Sequence, residues 1–162
     1  MTGPEPDRRI RVATASDATT VATLLDDFNR EFDTPTPGVE ILAARLRRTL
    51  AGGDLVALLG GDPATGVAIL SFRPAVWADG PVALLEELYV RPALRGRRIG
   101  HALLEAACDL ARTRGAEELQ INVDGEDTDA RRFYEAHDFR HTEPEAAEPM
   151  YFYYRELTGP TV

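Results

Sequence analysis

Apolar residues recur along this chain with two different periods, and the switches between them mark out its elements. Arg9 to Ala13 alternates as a short strand. Ser16 stands as N-cap to a helix running to Asn29, with Val21, Leu24, Leu25 and Phe28 on one face. Asp33 to Gly38 is a loop by composition, and a second helix from Val39 to Leu50 is stopped by Gly52-Gly53. Leu55 to Leu59 reads as a short buried strand and Gly66 to Trp77 as a long one, joined by the turn Gly60 to Pro63. Asp79-Gly80 turns the chain back into Pro81 to Val90, which Pro92 closes, so these strands form an antiparallel meander.

The period then lengthens. Arg98 to Arg114 is a helix with Ile99, Leu103, Ala106, Ala107 and Leu110 on one face and Gly115 at its end. Glu118 to Val123 reads as a strand and Asp127 to His137 as a helix. Phe139 to Thr142 and Met150 to Leu157 read as strands separated by the acidic loop Glu143 to Pro149. The expected order is β-α-α-β-β-β-α-β-α-β-β. That is an α/β fold, a mixed, mostly antiparallel twisted sheet flanked by helices on both faces. The unit from Leu84 to Val123 should be parallel and right-handed. Residues 9–157 are expected to form one domain, with frayed ends at 1–8 and 158–162.

Composition narrows the function classes. The 162 residues are 44% hydrophobic and 28% charged, as in an ordinary globular chain. No apolar run approaches the roughly 20 residues of a membrane span. The first residues lack the basic and apolar regions of a signal peptide, and Cys108 is the single cysteine, so a cytoplasmic protein without disulfides is expected. His101, His137 and His141 show no metal-ligand spacing, and no metal is expected. Net charge is −9, yet Arg91 to Arg98 holds four arginines and no acid. A globally acidic chain with one basic segment suits a single anionic ligand rather than nucleic acid.

That basic segment lies where a strand hands over to a helix. Backbone N–H groups at a helix start have no intrahelical partners and carry the positive end of the helix dipole, so the junction can cradle a phosphate. The bland alternative is an arginine-rich surface turn. Two other phosphate loops are absent: no G-x-x-x-x-G-K-S/T string occurs, and only Gly96 and Gly100 of a G-x-G-x-x-G are present.

Leu88-Tyr89-Val90-Arg91-Pro92, followed by Arg95-Gly96-x-x-Ile99-Gly100 and Leu103-Leu104, resembles the GCN5-related N-acetyltransferases. That family's loop reads Arg/Gln-x-x-Gly-x-Gly/Ala, and here Arg98 replaces the first glycine; it offers its N–H where its φ is negative. Ile10-Arg11-x-Ala13-x-x-x-Asp17 and Ala130-x-x-Phe133-Tyr134-Glu135-x-x-x-Phe139 resemble the family's opening and last helix, so the likeness spans Arg9 to Leu157.

The resemblance implies the acyl-CoA N-acyltransferase fold, acetyl-CoA as donor and a primary amine as acceptor. Amides from Gly96 to His101, with Arg95, Arg97 and Arg98 beside them, would take the pyrophosphate; Ile99 and Gly100 open the helix there. The backbone of Leu88, Tyr89 and Val90 would pair with the pantetheine arm as an added strand does. Asp127, Ala130 and Phe133 fall where relatives contact that arm, although an ionised Asp127 accepts and cannot donate. Glu86 first, and Glu87 second, would take the ammonium proton; strand alternation sets the two on opposite faces. Tyr134 matches the acid that protonates the leaving thiolate.

The acceptor pocket, built in such enzymes by the first helices and the last hairpin, would carry Asp26, Asp27, Glu31, Asp33, Glu143, Glu145 and Glu148 on its rim. Such a rim favours a cationic amine of a small molecule or peptide. Of Tyr151/Tyr153 and Phe152/Tyr154, one pair would line the pocket and the other the core, and the same strand could pair two copies in a homodimer. A non-catalytic acyl-CoA sensor or interaction module is the alternative function.

Overall fold

The computed structural model describes residues 7–159. Two compact units emerge, the first running to Ile121 and the second starting at Asn122. The first contains β1 (Ile10–Val12), α1 (Ala18–Glu31), α2 (Val39–Gly52), β2 (Leu55–Gly60), β3 (Gly66–Arg73), β4 (Val82–Val90), α3 (Ile99–Thr113) and β5 (Leu119–Gln120). The second contains α4 (Thr128–Glu135).

The sheet runs β1-β2-β3-β4-β5; the first four strands pair antiparallel and β4 pairs parallel with β5. This is the mixed, mostly antiparallel sheet expected from the sequence. Continuous apolar runs in β2 and β3 are buried on both faces. On one face Ala57, Leu59, Val67, Ile69 and Tyr89 pack against Val21 and Leu24 of α1 and Ala43 and Leu46 of α2. The residues of opposite parity meet α3. A Cβ on Gly66 would lie 2.9 Å from Leu103 Cδ1 and 3.1 Å from the Tyr89 carbonyl, so only glycine lets α3 approach so closely. Leu103 is fully buried at this crossing, worth roughly 1.5–3 kcal/mol of transfer free energy.

Local chemistry adjusts several boundaries. The first helix is entered through a 3-10 turn, Ala15–Asp17, rather than at a Ser16 cap. There the Thr14 N–H donates to Asp17 Oδ2 at 2.8 Å, and the Arg11 fork grips the same carboxylate at 2.8 and 2.9 Å. β3 stops at Arg73 rather than Trp77, where Pro74 follows and the Trp77 side chain is exposed. β5 keeps only two ladder residues of the expected six.

The two last expected strands do not form. Phe139 to Thr142 contributes one isolated bridge, Thr142 to Pro149, with the Met150 N–H on the His141 carbonyl at 2.6 Å. Met150 to Leu157 carries no strand, and both aromatic pairs, Tyr151/Tyr153 and Phe152/Tyr154, are exposed, so neither lines a core. High strand propensity makes a ladder only where a partner edge supplies hydrogen bonds. Thr158 and Gly159 are likewise outside any element, whereas the expected fraying of residues 1–6 and 160–162 lies outside the described residues. Among the described residues no helix is long and apolar enough to cross a membrane.

Candidate active site

β4 carries the two candidate carboxylates, Glu86 and Glu87, and is irregular where it does so. Its register against β3 runs Ser71–Leu84 and Leu70–Leu85, then jumps to Ile69–Glu87, so Glu86 is an inserted residue, a β-bulge. Directly paired residues of an antiparallel ladder share a face, which puts Glu87 with Ile69 and Tyr89 on the side of α1 and α2. Ser71 has the same parity as Ile69, and its hydroxyl donates to Glu86 Oε1. Both glutamates therefore face the same side, which corrects the expectation of opposite faces; the inserted residue cancels one step of alternation.

Their environments differ. Glu86 is exposed, whereas Glu87 is half-buried. Burial first, and the charge of Glu86 second, push the Glu87 carboxyl above the ordinary 4.5. A carboxylate raised in this way, beside a second one, suits proton acceptance and cation binding together.

Next to the pair lies an open edge. Among the described residues β4 meets β5 only at Ala83–Leu119 and Leu84–Gln120, and no strand continues along Leu85 to Val90 on that side. The Arg91 N–H turns inward to the Thr65 carbonyl at 3.0 Å, so by alternation the Val90 and Leu88 groups turn outward and those of Tyr89 turn toward β3. The Val90 carbonyl is already used: Arg95 Nε donates to it at 2.9 Å. Of the three residues expected to pair with an extended ligand, Leu88 thus offers both of its groups, Val90 its N–H, and Tyr89 neither. Tyr89 contributes its ring instead, buried and stacked on Phe28 at 5.1 Å.

A 3-10 turn, Pro92–Leu94, leads from β4 into the loop before α3. Gly96 has φ +72 and Arg98, the N-cap of α3, has φ +64. The condition set for Arg98 to offer its N–H, a negative φ, is therefore not met. The arginine sits in the left-handed region that a glycine would occupy at no cost, a strain of about 1–2 kcal/mol. No side chain caps α3, and its first intrahelical bond runs from the Ala102 N–H to the Arg98 carbonyl at 3.0 Å. The opening residues Ile99, Gly100 and His101 thus present the N-terminal turn of a 15-residue helix; Ile99 is buried, while Arg97 and Arg98 extend into solvent.

Three of the seven acids assigned to the acceptor rim are engaged elsewhere. Asp26 is buried and held by Arg30 Nε at 2.6 Å and Thr36 Oγ1 at 2.7 Å, contacts that keep its carboxyl below the ordinary range. Asp27 pairs with Arg91 at 3.1 Å, and Glu31 takes the Arg95 fork at 2.6 and 2.7 Å. Sequence reasoning missed these two pairs because their members lie 64 residues apart. Ser71 was also missed, since a lone strand serine carries no signal. Burial raises the Cys108 thiol, consistent with a packing role for that residue.

The second unit gathers the remaining candidates. Tyr134 is buried on α4, its ring edge-on to Phe133 at 5.2 Å and to Phe139 at 5.5 Å. Asp127 caps α4 by accepting from the Ala130 N–H at 3.0 Å, so its carboxylate has a structural task. Among the described residues no cluster of His, Cys, Asp or Glu could hold a metal.

Known proteins share this fold. A crystal structure of a protein from Arthrobacter sp. FB24, provisionally described as an acetyltransferase, is 63% identical over 92% of this chain and 96% of its own, with a TM-score of 0.88. The mycothiol acetyltransferase of Beutenbergia cavernae is 38% identical over 64 residues, 38% of this chain but only 22% of that protein's length. The aminoglycoside N-acetyltransferase AAC(6')-Iy in complex with CoA shares the fold at 22% identity, with a TM-score of 0.73 over 93% of this chain and 95% of that one. The model of the acetyltransferase (GNAT) family matches residues 19–139, and it is to this family of acetyltransferases that the chain belongs.

Proposed function

We propose that the protein transfers an acetyl group from acetyl-CoA to a primary amine of a cationic small molecule or peptide. The observation that carries this reading is the bulge in β4, which turns Glu86 and Glu87 to one face beside an open strand edge. The edge at Leu88 and Val90 would take the pantetheine arm, and the loop from Gly96 to the first turn of α3 would take the pyrophosphate. The residues present fit the coenzyme, because the α3 start is uncapped and the adjacent Arg97 and Arg98 are exposed.

In this reading the bulge carboxylates bind the ammonium and one of them removes its proton. Sequence alone ranks Glu86 first; burial raises the Glu87 carboxyl above the ordinary value, and this ranks Glu87 first. The freed amine attacks the thioester carbonyl carbon, a C–N bond forms, the C–S bond breaks, and the thiolate leaves. Tyr134 is assigned the proton returned to sulfur, on the family likeness of Phe133-Tyr134-Glu135. With Asp26, Asp27 and Glu31 engaged, the preference for a cationic acceptor rests on Glu86, Glu87 and the net charge of −9.

An amine-library screen read by free-thiol release tests this. Turnover with polyamine, aminoglycoside or peptide amines is expected. Turnover confined to neutral or acidic amines would remove the cationic preference, and coenzyme binding without thiol release for any amine would favour the sensor reading.

A further inference from the structure

Arg95 opens the loop that the proposed function assigns to the pyrophosphate, yet all three of its guanidinium nitrogens are bonded within the protein. Nε donates to the Val90 carbonyl at 2.9 Å, and the two terminal nitrogens form a fork on Glu31 Oε1 and Oε2 at 2.6 and 2.7 Å. The guanidinium carbon stands 5.7 Å from the centre of the Tyr89 ring, and that ring stacks on Phe28, one turn before Glu31 on α1. The Arg95 bonds hold the Glu31 carboxyl below its ordinary range, while burial and the nearby Glu31 and Asp27 charges raise the Tyr89 phenol. The last turn of α1 thus reaches 64 residues along the chain to grip the first residue of the loop.

Two consequences follow from the donor count. A bidentate charge-assisted pair fixes orientation as well as position, so the loop leaves the end of β4 in one direction. The positive charge of Arg95 is also matched by Glu31, whereas the neighbouring exposed Arg97 and Arg98 pair with no carboxylate among the described residues.

We propose that Glu31 is a positioning residue for the coenzyme: it holds the Arg95 fork against the Val90 carbonyl, presets the amides that follow, and withholds the Arg95 charge from the phosphates. This rests on the coenzyme reading above. It corrects the assignment of Arg95 as a phosphate-neutralising side chain and adds an α1 residue that touches no coenzyme atom.

The test is calorimetric titration of acetyl-CoA into the wild type, Glu31→Ala, Glu31→Gln, Arg95→Ala, the Glu31→Ala/Arg95→Ala double variant and the charge swap Glu31→Arg/Arg95→Glu. Each titration is repeated at several salt concentrations, below the melting temperature of every variant. Each alanine variant should weaken binding about five- to tenfold, the double variant no further, and the swap should recover part of the loss. Arg95→Ala should keep the wild-type salt dependence, because no phosphate contact is lost. Tighter or unchanged binding in Glu31→Ala, additive losses in the double variant, or a shallower salt dependence in Arg95→Ala would overturn the proposal. A wild type that binds no acetyl-CoA would instead remove the coenzyme reading on which it stands.

Discussion

Replacing Glu87 by glutamine separates the buried member of the bulge pair from its exposed neighbour. The wild-type carboxylate lies on the face of Ile69 and Tyr89, and burial and Glu86 raise its pKa above 4.5. Removing a positioned general base costs about 10²–10⁴ in rate, or about 2.7–5.4 kcal/mol of barrier. The acid limb of the wild-type pH–rate profile should lie above the ordinary glutamate value. In the variant that limb should vanish, and the deficit should shrink at high pH, where solvent has already made the free amine. The same substitution has a stability signature that needs no acceptor. A raised folded pKa means that protonated Glu87 favours the folded state; this contribution is full below the unfolded pKa and is lost as pH rises through the folded one. Glu87→Gln should therefore be more stable than wild type at pH 7 and above, and the two should converge below about 4.5. Thiol release and denaturant unfolding across pH measure the two effects. An unchanged acid limb removes Glu87 from the mechanism, and a variant less stable than wild type at pH 8 refutes the burial argument.

Leu103→Ala, at the crossing of α3 with Gly66, should cost about 2–5 kcal/mol, read as a lower denaturant midpoint at unchanged slope. Arg98→Gly relieves the φ of +64 and should raise stability by up to about 1 kcal/mol, part of the relief being offset by the greater freedom of glycine in the unfolded chain; a lower melting temperature would contradict the strain argument. Asp26→Asn should destabilise at pH 7. The lowered carboxyl pKa contributes stability above its unfolded value and loses it as pH falls through the folded one, so the gap should begin to narrow below about pH 3.8 and close at more acid pH. Gly100→Asp adds bulk and negative charge at the first turn of α3 and should abolish acetyl-CoA binding in calorimetry; retained affinity would rule out the cradle.

What the sequence made legible was whatever a local period can encode. The apolar runs of β2 and β3, the faces of α1 and α3 and the order of the meander follow from side-chain spacing, because burial on a defined face repeats every two or 3.6 residues. The strand-to-helix junction was legible for the same reason. The C-terminal strands misled because aromatic alternation records propensity and not the presence of a partner: Met150 to Tyr154 alternates well yet joins no ladder among the described residues beyond the Met150 N–H on the His141 carbonyl. The site itself depended on non-local or singular events. One inserted residue at Glu86 reversed the geometry of the two carboxylates, and an insertion leaves a strand's composition unchanged. One positive φ at Arg98 let an arginine stand in a glycine's place. Two ion pairs spanning 64 residues turned acids expected on a substrate rim into braces for the arginines around the loop. The common cause is that strand pairing decides which side chains meet. The bulge sets which groups of β4 face α1, and the grip of α1 on Arg95 then sets how the chain leaves β4 toward the phosphate loop. The proposed base and the proposed coenzyme loop are thus both anchored on a single strand, so an insertion or deletion in β4 between Leu85 and Val90 would displace both, whereas the same change in the exposed β3–β4 turn would leave both in register.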